Sequence, residues 1–197
     1  MGMAANMAAS GDAPRRTDLP VVVSEARVRH LVRQLATAIC ADHSEGDTLV
    51  IVAVLKAAVV FLADLIRHLT MPLEVELVNA RSYSGTRRRE AVEIMDDVSK
   101  LELTGRHVLL LDCVLDSGHT LAAVLGAIVA QAPASVKTCV LLRKRRPRTV
   151  DIEPEYVGTD IPDVFVVGYG LDCDNRWRHL PFVAELPEAA ASGGGEE

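Results

Sequence analysis

Residues 109–121 read LLLDCVLDSGHTL. An aliphatic run ends in an acid, Asp112. Cys113 and two aliphatics follow, then Asp116, Ser117, Gly118, His119 and Thr120, and then a second apolar run begins. A buried strand that opens into a small polar loop and a helix start makes an anion site, because the N–H groups of the loop and of the first helical turn point outward unpaired. Ser117 and Thr120 add hydroxyl donors. Neither GxxxxGK[ST] nor GxGxxG is present, so this is not one of the common nucleotide loops. On spacing alone, a plain strand–turn–helix connection accounts for the stretch equally well. Lys56 is a second candidate: a lone charge inside the apolar stretch 49–63 is better explained by an anion than by packing.

These residues need elements to hold them. Ser24 caps a predicted helix with apolar residues at helical spacing through EARVRHLVRQLATAICADH. TLVIVAVL (48–55) and HVLLLDCVL (107–115) are unbroken apolar runs, the signature of strands buried on both faces. AAVVFLADLIRHL (57–69) and TLAAVLGAIVAQ (120–131) read as helices. LEVELVNARSY (73–83) alternates as a strand should; VKTCVLL (136–142) and DVFVVGYGL (163–171) read as further strands. SGTRRREAVEIMDD (84–97) is polar and loop-like. Strands alternating with helices predict an α/β fold, a mostly parallel sheet flanked by helices on both faces. Ligands in such folds bind at the C-terminal strand ends, which places Asp112, Asp116 and Lys56 around one crevice.

Composition narrows the function. With 197 residues, 49% hydrophobic, 24% charged and 4% aromatic, the chain suits one globular domain. Its formal net charge of -6 argues against a general nucleic-acid binder. The four cysteines (Cys40, Cys113, Cys139, Cys173) have no metal-finger spacing and read as free thiols in a reducing, cytoplasmic compartment. The stretch 49–63 is too short and too interrupted to span a bilayer, so no membrane partner is expected. Residues 1–17 and 188–197 read as flexible extensions around an ordered 18–187.

With its neighbours, VLLLDCVLDSGHT (108–120) resembles the phosphoribosyl-pyrophosphate (PRPP) motif of the phosphoribosyltransferases. VLKAA (54–58), SYSGT (82–86), LLRKRRPR (141–148) and DVFVVGYGLDCDNRWRHLP (163–181) resemble, in order, segments of the hypoxanthine-guanine phosphoribosyltransferases. The resemblance implies a five-stranded, largely parallel core with a small hood. It implies transfer of 5-phosphoribosyl from PRPP to N9 of a 6-oxopurine (hypoxanthine or guanine), giving the nucleotide and pyrophosphate with the help of magnesium. A homodimer or homotetramer is expected. Asp116 matches the general-base position beside N7 of the purine, and Asp116, Ser117, Gly118, His119 and Thr120 match the 5′-phosphate loop. Asp112 and the position of Cys113 match the ribose-binding acids. Lys144 matches the lysine that donates to O6; Phe165 the aromatic stacked on the base; Val166 main-chain contacts to the base edge. Asp172, with Asp112, matches the metal acids, and Asp172 also meets the base. Lys56, Ala57 and Arg178 match the pyrophosphate contacts. Ser82 and Tyr83 match the start of a mobile loop that closes over the site. Arg145, Arg146 and Arg148 read as a solvated turn, and Arg87, Arg88 and Arg89 as a solvated loop.

Three positions depart from the family pattern. Cys113 stands where an acid is usual, Ala57 where glycine is usual after a leucine–lysine peptide that is often cis, and Cys173 where an aromatic is common. Cys113 admits two readings. It takes the ribose position and weakens PRPP binding, since a thiol accepts poorly, or it points into the core, where free cysteine is often found. A non-catalytic PRPP- or nucleotide-sensing protein on the same fold is the competing function; Asp116 and the Ser82–Tyr83 segment favour the enzyme.

Overall fold

The computed structural model describes residues 18–43, 46–83, 91–94, 96, 98–148 and 150–187, with the backbone alone for 81–83 and 91–93. The extensions 1–17 and 188–197 and most of the expected mobile loop, 84–90, lie outside the described residues.

Buried aliphatic runs become the centre of a six-stranded sheet. Its strands are β2 (Leu49–Leu55), β3 (Leu73–Tyr83), β4 (Ala91–Ile94), β5 (His107–Leu115), β6 (Ser135–Lys144) and β7 (Tyr156–Ile161), in the order β4-β3-β2-β5-β6-β7. Five of them, β3 to β7 across β2, β5 and β6, run parallel. β4 joins β3 antiparallel, so part of the stretch expected as loop is an edge strand. A second, small antiparallel sheet combines β1 (Val21–Val23), β9 (Val183–Glu185) and β8 (Val166–Val167) and supplies the expected hood.

Strand parity divides the core. Leu49, Ile51 and Ala53 of β2 and Leu109, Leu111 and Cys113 of β5 pack under helices α1 (Glu25–Ala41) and α2 (Val59–Ile66), against Leu35, Ile39, Phe61 and Leu65. Val50, Val52 and Val54 of β2 and Val108 and Leu110 of β5 face the other way, onto Leu121, Val124 and Ile128 of α3 (His119–Val129). Helix α1 begins where expected: the Ser24 side chain accepts from the Arg27 N–H.

The sequence reading misplaced the fifth strand. It is Tyr156–Ile161, whose apolar alternation is weak and which contains Gly158. A Cβ at Gly158 would collide with the Leu141 carbonyl, so glycine there lets β7 close onto β6. The stretch 163–171 contributes only two residues of strand, to the small sheet; its apolar residues pack the hood onto the core.

Candidate active site

A cavity of about 360 Å³ opens at the C-terminal ends of β2 and β5 and at the start of α3. Its wall includes Ala57, Asp112, Asp116, Ser117, Gly118, Thr120 and Arg146, so three of the segments quoted above, 54–58, 108–120 and 141–148, converge on one space where the topology ends its central strands. Gly118 holds φ +90° at the N-cap of α3, and this left-handed residue turns the chain from loop to helix. His119 is the first residue of that helix.

Asp112 lies on the α3 side of β5 and is nearly buried. Its Oδ1 accepts from the Cys113 N–H at 2.7 Å. Burial nevertheless wins over the backbone hydrogen bonds from Cys113 and Val114 and raises its pKa to about 7. Cys113 points the opposite way. Its side chain is fully buried among the residues under α1 and α2, and its thiol donates to the Tyr169 carbonyl at 3.7 Å. Burial pushes the thiol pKa up, so the sulfur is a neutral packing group. This corrects the ribose-binding expectation for Cys113: consecutive strand residues face opposite sides, so Asp112 and Cys113 do not both reach the cavity. The parity of Leu109, Leu111 and Cys113 was the signal available in the sequence.

Lys144 ends β6 and turns inward, while its neighbour Arg143 turns outward to Asp160. The Lys144 ammonium is almost buried and donates to Asp116 Oδ2 at 2.6 Å. Arg146 Nη1 donates to Asp116 Oδ1 at 2.9 Å and lines the cavity. The reading of Arg146 as a solvated turn residue is therefore corrected; nothing in the basic run distinguished it from Arg148, which pairs with Glu153 instead. Asp163 stands beside both cations, 3.9 Å from Lys144 and 3.6 Å from Arg146.

The segment after β8 packs on the turn that holds the cavity-lining Ala57. Gly168, Tyr169, Gly170, Asp174, Asn175 and Trp177 all have positive φ, so this stretch is a chain of left-handed turns. A Cβ on Gly170 would collide with the Ala57 carbonyl oxygen: the segment lies directly on the turn that carries Lys56 and Ala57. Asp172 and Arg178 pair at 2.7 Å, Asp172 also accepts from the Asn175 N–H, and Arg178 donates to the Gly170 carbonyl at 2.7 Å. Tyr169 ties the segment down by donating its hydroxyl to Asp64 of α2 at 2.7 Å. Lys56 is exposed, and the Leu55–Lys56 peptide is cis, as the resemblance implied. The cavity wall does not include Lys144, Phe165, Val166, Asp172 or Arg178. Phe165 is 46% exposed and Val166 is buried in β8. Ser82 and Tyr83 end β3 next to the cavity-lining Ala80; their side chains lie outside the described residues.

No group of three or more His, Cys, Asp or Glu side chains among the described residues forms a metal cage. Among the described residues no helix is long and apolar enough to cross a membrane.

Comparison with known proteins agrees with this architecture. Residues 24–174 match the phosphoribosyl transferase domain. The chain is 37% identical over 168 residues to the hypoxanthine phosphoribosyltransferase of Salmonella typhimurium, covering 84% of this chain and 94% of that protein. Among solved structures, a hypoxanthine-guanine phosphoribosyltransferase from Bacillus anthracis with HEPES in its active site matches with a TM-score of 0.79 at 36% identity, over 89% of this chain and 100% of that one. The hypoxanthine phosphoribosyltransferase of Trypanosoma cruzi in complex with its product IMP matches with a TM-score of 0.78 at 32% identity, over 88% and 98% of the two chains. A crevice at the parallel strand ends, a phosphate-type loop at the start of α3 and relatives of this name along most of the chain lead to one assignment: the chain belongs to the hypoxanthine-guanine phosphoribosyltransferase family.

Proposed function

We propose that the protein transfers 5-phosphoribosyl from PRPP to N9 of hypoxanthine or guanine, releasing pyrophosphate, with Asp116 and Lys144 reading the base. The observation that carries the assignment of roles is their juxtaposition, a donor-only ammonium 2.6 Å from a carboxylate acceptor at the mouth of the phosphate loop. A 6-oxopurine presents the complementary pair on one edge, an O6 acceptor beside an N7–H donor. Adenine presents an amino donor where O6 would be and leaves Lys144 facing another donor.

The remaining roles follow from position. N–H groups at the start of α3, with Ser117 and Thr120, hold the 5′-phosphate. Asp112 accepts from the ribose hydroxyls. The Lys56–Ala57 turn and Arg178, joined by the Gly170 contact, face pyrophosphate. As N9 attacks C1′, the bond from C1′ to pyrophosphate breaks and the N7 proton passes to Asp116. Charge develops at the ribose and the leaving group, so fixed cations and N–H donors contribute through preorganisation.

Magnesium fits this donor set. It is typically held by one or two carboxylates together with substrate phosphates, not by a protein cage, and Asp172 and Asp112 offer carboxylate oxygens without a cage around them. When bound it neutralises charge on the departing pyrophosphate. The product nucleotide, PRPP and the base are the expected small-molecule partners; a dimer or tetramer is the expected assembly.

Incubation with PRPP, magnesium and each of hypoxanthine, guanine, xanthine and adenine, with nucleotide followed by absorbance, tests the proposal. Nucleotide should form with a 6-oxopurine and negligibly with adenine. Failure with every 6-oxopurine, or a preference for adenine, would overturn it.

A further inference from the structure

Lys144 and Asp116 spend their 2.6 Å bond on each other, and Asp116 Oδ2 must turn from Lys144 for the pair to read O6 and N7. Separating them is costly for Lys144, whose ammonium is almost buried and must keep an acceptor. The structure holds a replacement on each side. Arg146 binds Asp116 through Oδ1 and leaves Oδ2 as the oxygen that Lys144 occupies. Asp163 Oδ1 lies near both cations at distances too long for hydrogen bonds, an acceptor not yet committed to Lys144.

We propose that Arg146 and Asp163 are positioning residues for purine recognition, an inference that rests on the base-reading roles of Lys144 and Asp116. As the purine edge enters, Arg146 keeps the Asp116 carboxylate aimed through Oδ1 while Oδ2 turns to N7–H. Asp163 becomes the counter-charge of Lys144 while the ammonium donates to O6. No covalent bond changes in this step; acceptors are exchanged.

Two further observations support this exchange. Arg146 and Asp163 are 40% and 45% exposed, and ion pairs so open to solvent contribute little to stability, so holding the fold does not explain them. Both sit in turns beside the base site. Arg146 follows the end of β6, its N–H donating to the Lys144 carbonyl at 3.1 Å. Asp163 lies in the turn closed by the Val164 N–H on Pro162, two residues before Phe165.

Steady-state kinetics in hypoxanthine and in PRPP, on Arg146→Ala, Arg146→Lys, Asp163→Asn and Asp116→Asn, test the proposal. Arg146→Ala should lower kcat by up to about 100-fold, the scale of a misplaced catalytic group, with KM for PRPP unchanged. Arg146→Lys should recover most of the loss. Asp163→Asn should raise KM for hypoxanthine alone, and thermal midpoints should stay with the parent. Asp116→Asn, the benchmark, should lose about 10²–10⁴-fold in kcat. Parental kcat in Arg146→Ala with parental base KM in Asp163→Asn, beside an impaired Asp116→Asn, would overturn the exchange and leave the base-reading roles standing. A change confined to KM for PRPP would place Arg146 on phosphate and also overturn it. Parental kcat in Asp116→Asn would remove the base-reading roles and this inference together.

Discussion

Strand β5 with its loop, and the segment from Val166 to Arg178, place candidate residues by opposite means, the first on the cavity wall and the second against the cavity-lining Ala57. In the first, regular structure does the placing. Parallel pairing with β2 and β6 fixes β5, alternation sends Asp112 to the cavity and Cys113 to the core, and Gly118 starts α3. In the second, two residues of strand are followed by left-handed turns, held by a glycine against Ala57, a tyrosine on Asp64 and the Asp172–Arg178 pair. The comparison teaches that periodicity governs one half of the site and close tertiary approach the other. The two halves meet where the Cys113 thiol donates to the Tyr169 carbonyl.

Cys113→Asp is the harshest test of the difference. If parity rules β5, this change buries a carboxylate beside Asp112 and costs about 3–5 kcal/mol, the scale of an uncompensated buried charge. The thermal midpoint should fall by roughly 6–20 °C, at about 2–4 °C per kcal/mol for a chain of this size, with KM for PRPP no better. An unchanged midpoint with tighter PRPP binding would return Cys113 to the ribose site.

Gly170→Ala probes the other region and should cost less. The added methyl meets the Ala57 carbonyl at a positive-φ position, for a destabilisation of about 1–3 kcal/mol. Because the contact joins the two segments proposed to bind pyrophosphate, KM for PRPP should rise while KM for hypoxanthine holds. Parental KM for PRPP would mean that the packing of Gly170 on Ala57 does not position these groups.

A further effect is expected on pH dependence. The pKa of Asp112 is raised from 3.8 to about 7 by burial, so the folded state binds this proton more tightly than the unfolded chain. Its contribution to stability is therefore present below about pH 4 and is lost as pH rises through about 7. Asp112→Asn should flatten this fall in midpoint between about pH 4 and pH 7, while weakening PRPP binding. Parallel midpoint profiles for parent and variant would mean that Asp112 is solvated like an ordinary surface carboxylate.

The legibility of each region in the sequence follows from the same contrast. The β2 and β5 runs, α3 and the phosphate-type loop could be read because burial on both faces and the acid–glycine punctuation are local signals. β7 could not, because Gly158 and a weak alternation hide a strand whose closeness to β6 is a tertiary fact. The 163–171 stretch misled for the converse reason: it is apolar enough for a buried strand, yet its residues bury themselves through turns in the hood. Arg146 looked like its solvated neighbours, and only the fold brings it to Asp116.

The most direct test of a base half and a pyrophosphate half is to measure both Michaelis constants, for hypoxanthine and for PRPP, in Lys144→Ala and Arg178→Ala. Lys144→Ala should weaken the base by about 1.5–3 kcal/mol, the range for a hydrogen bond to a charged group, which is roughly 10–150-fold in KM, and leave PRPP unchanged. Arg178→Ala should do the reverse. If both variants raise the same constant, or each raises both equally, the division of the site between regular strand ends and the turn-built hood segment is contradicted.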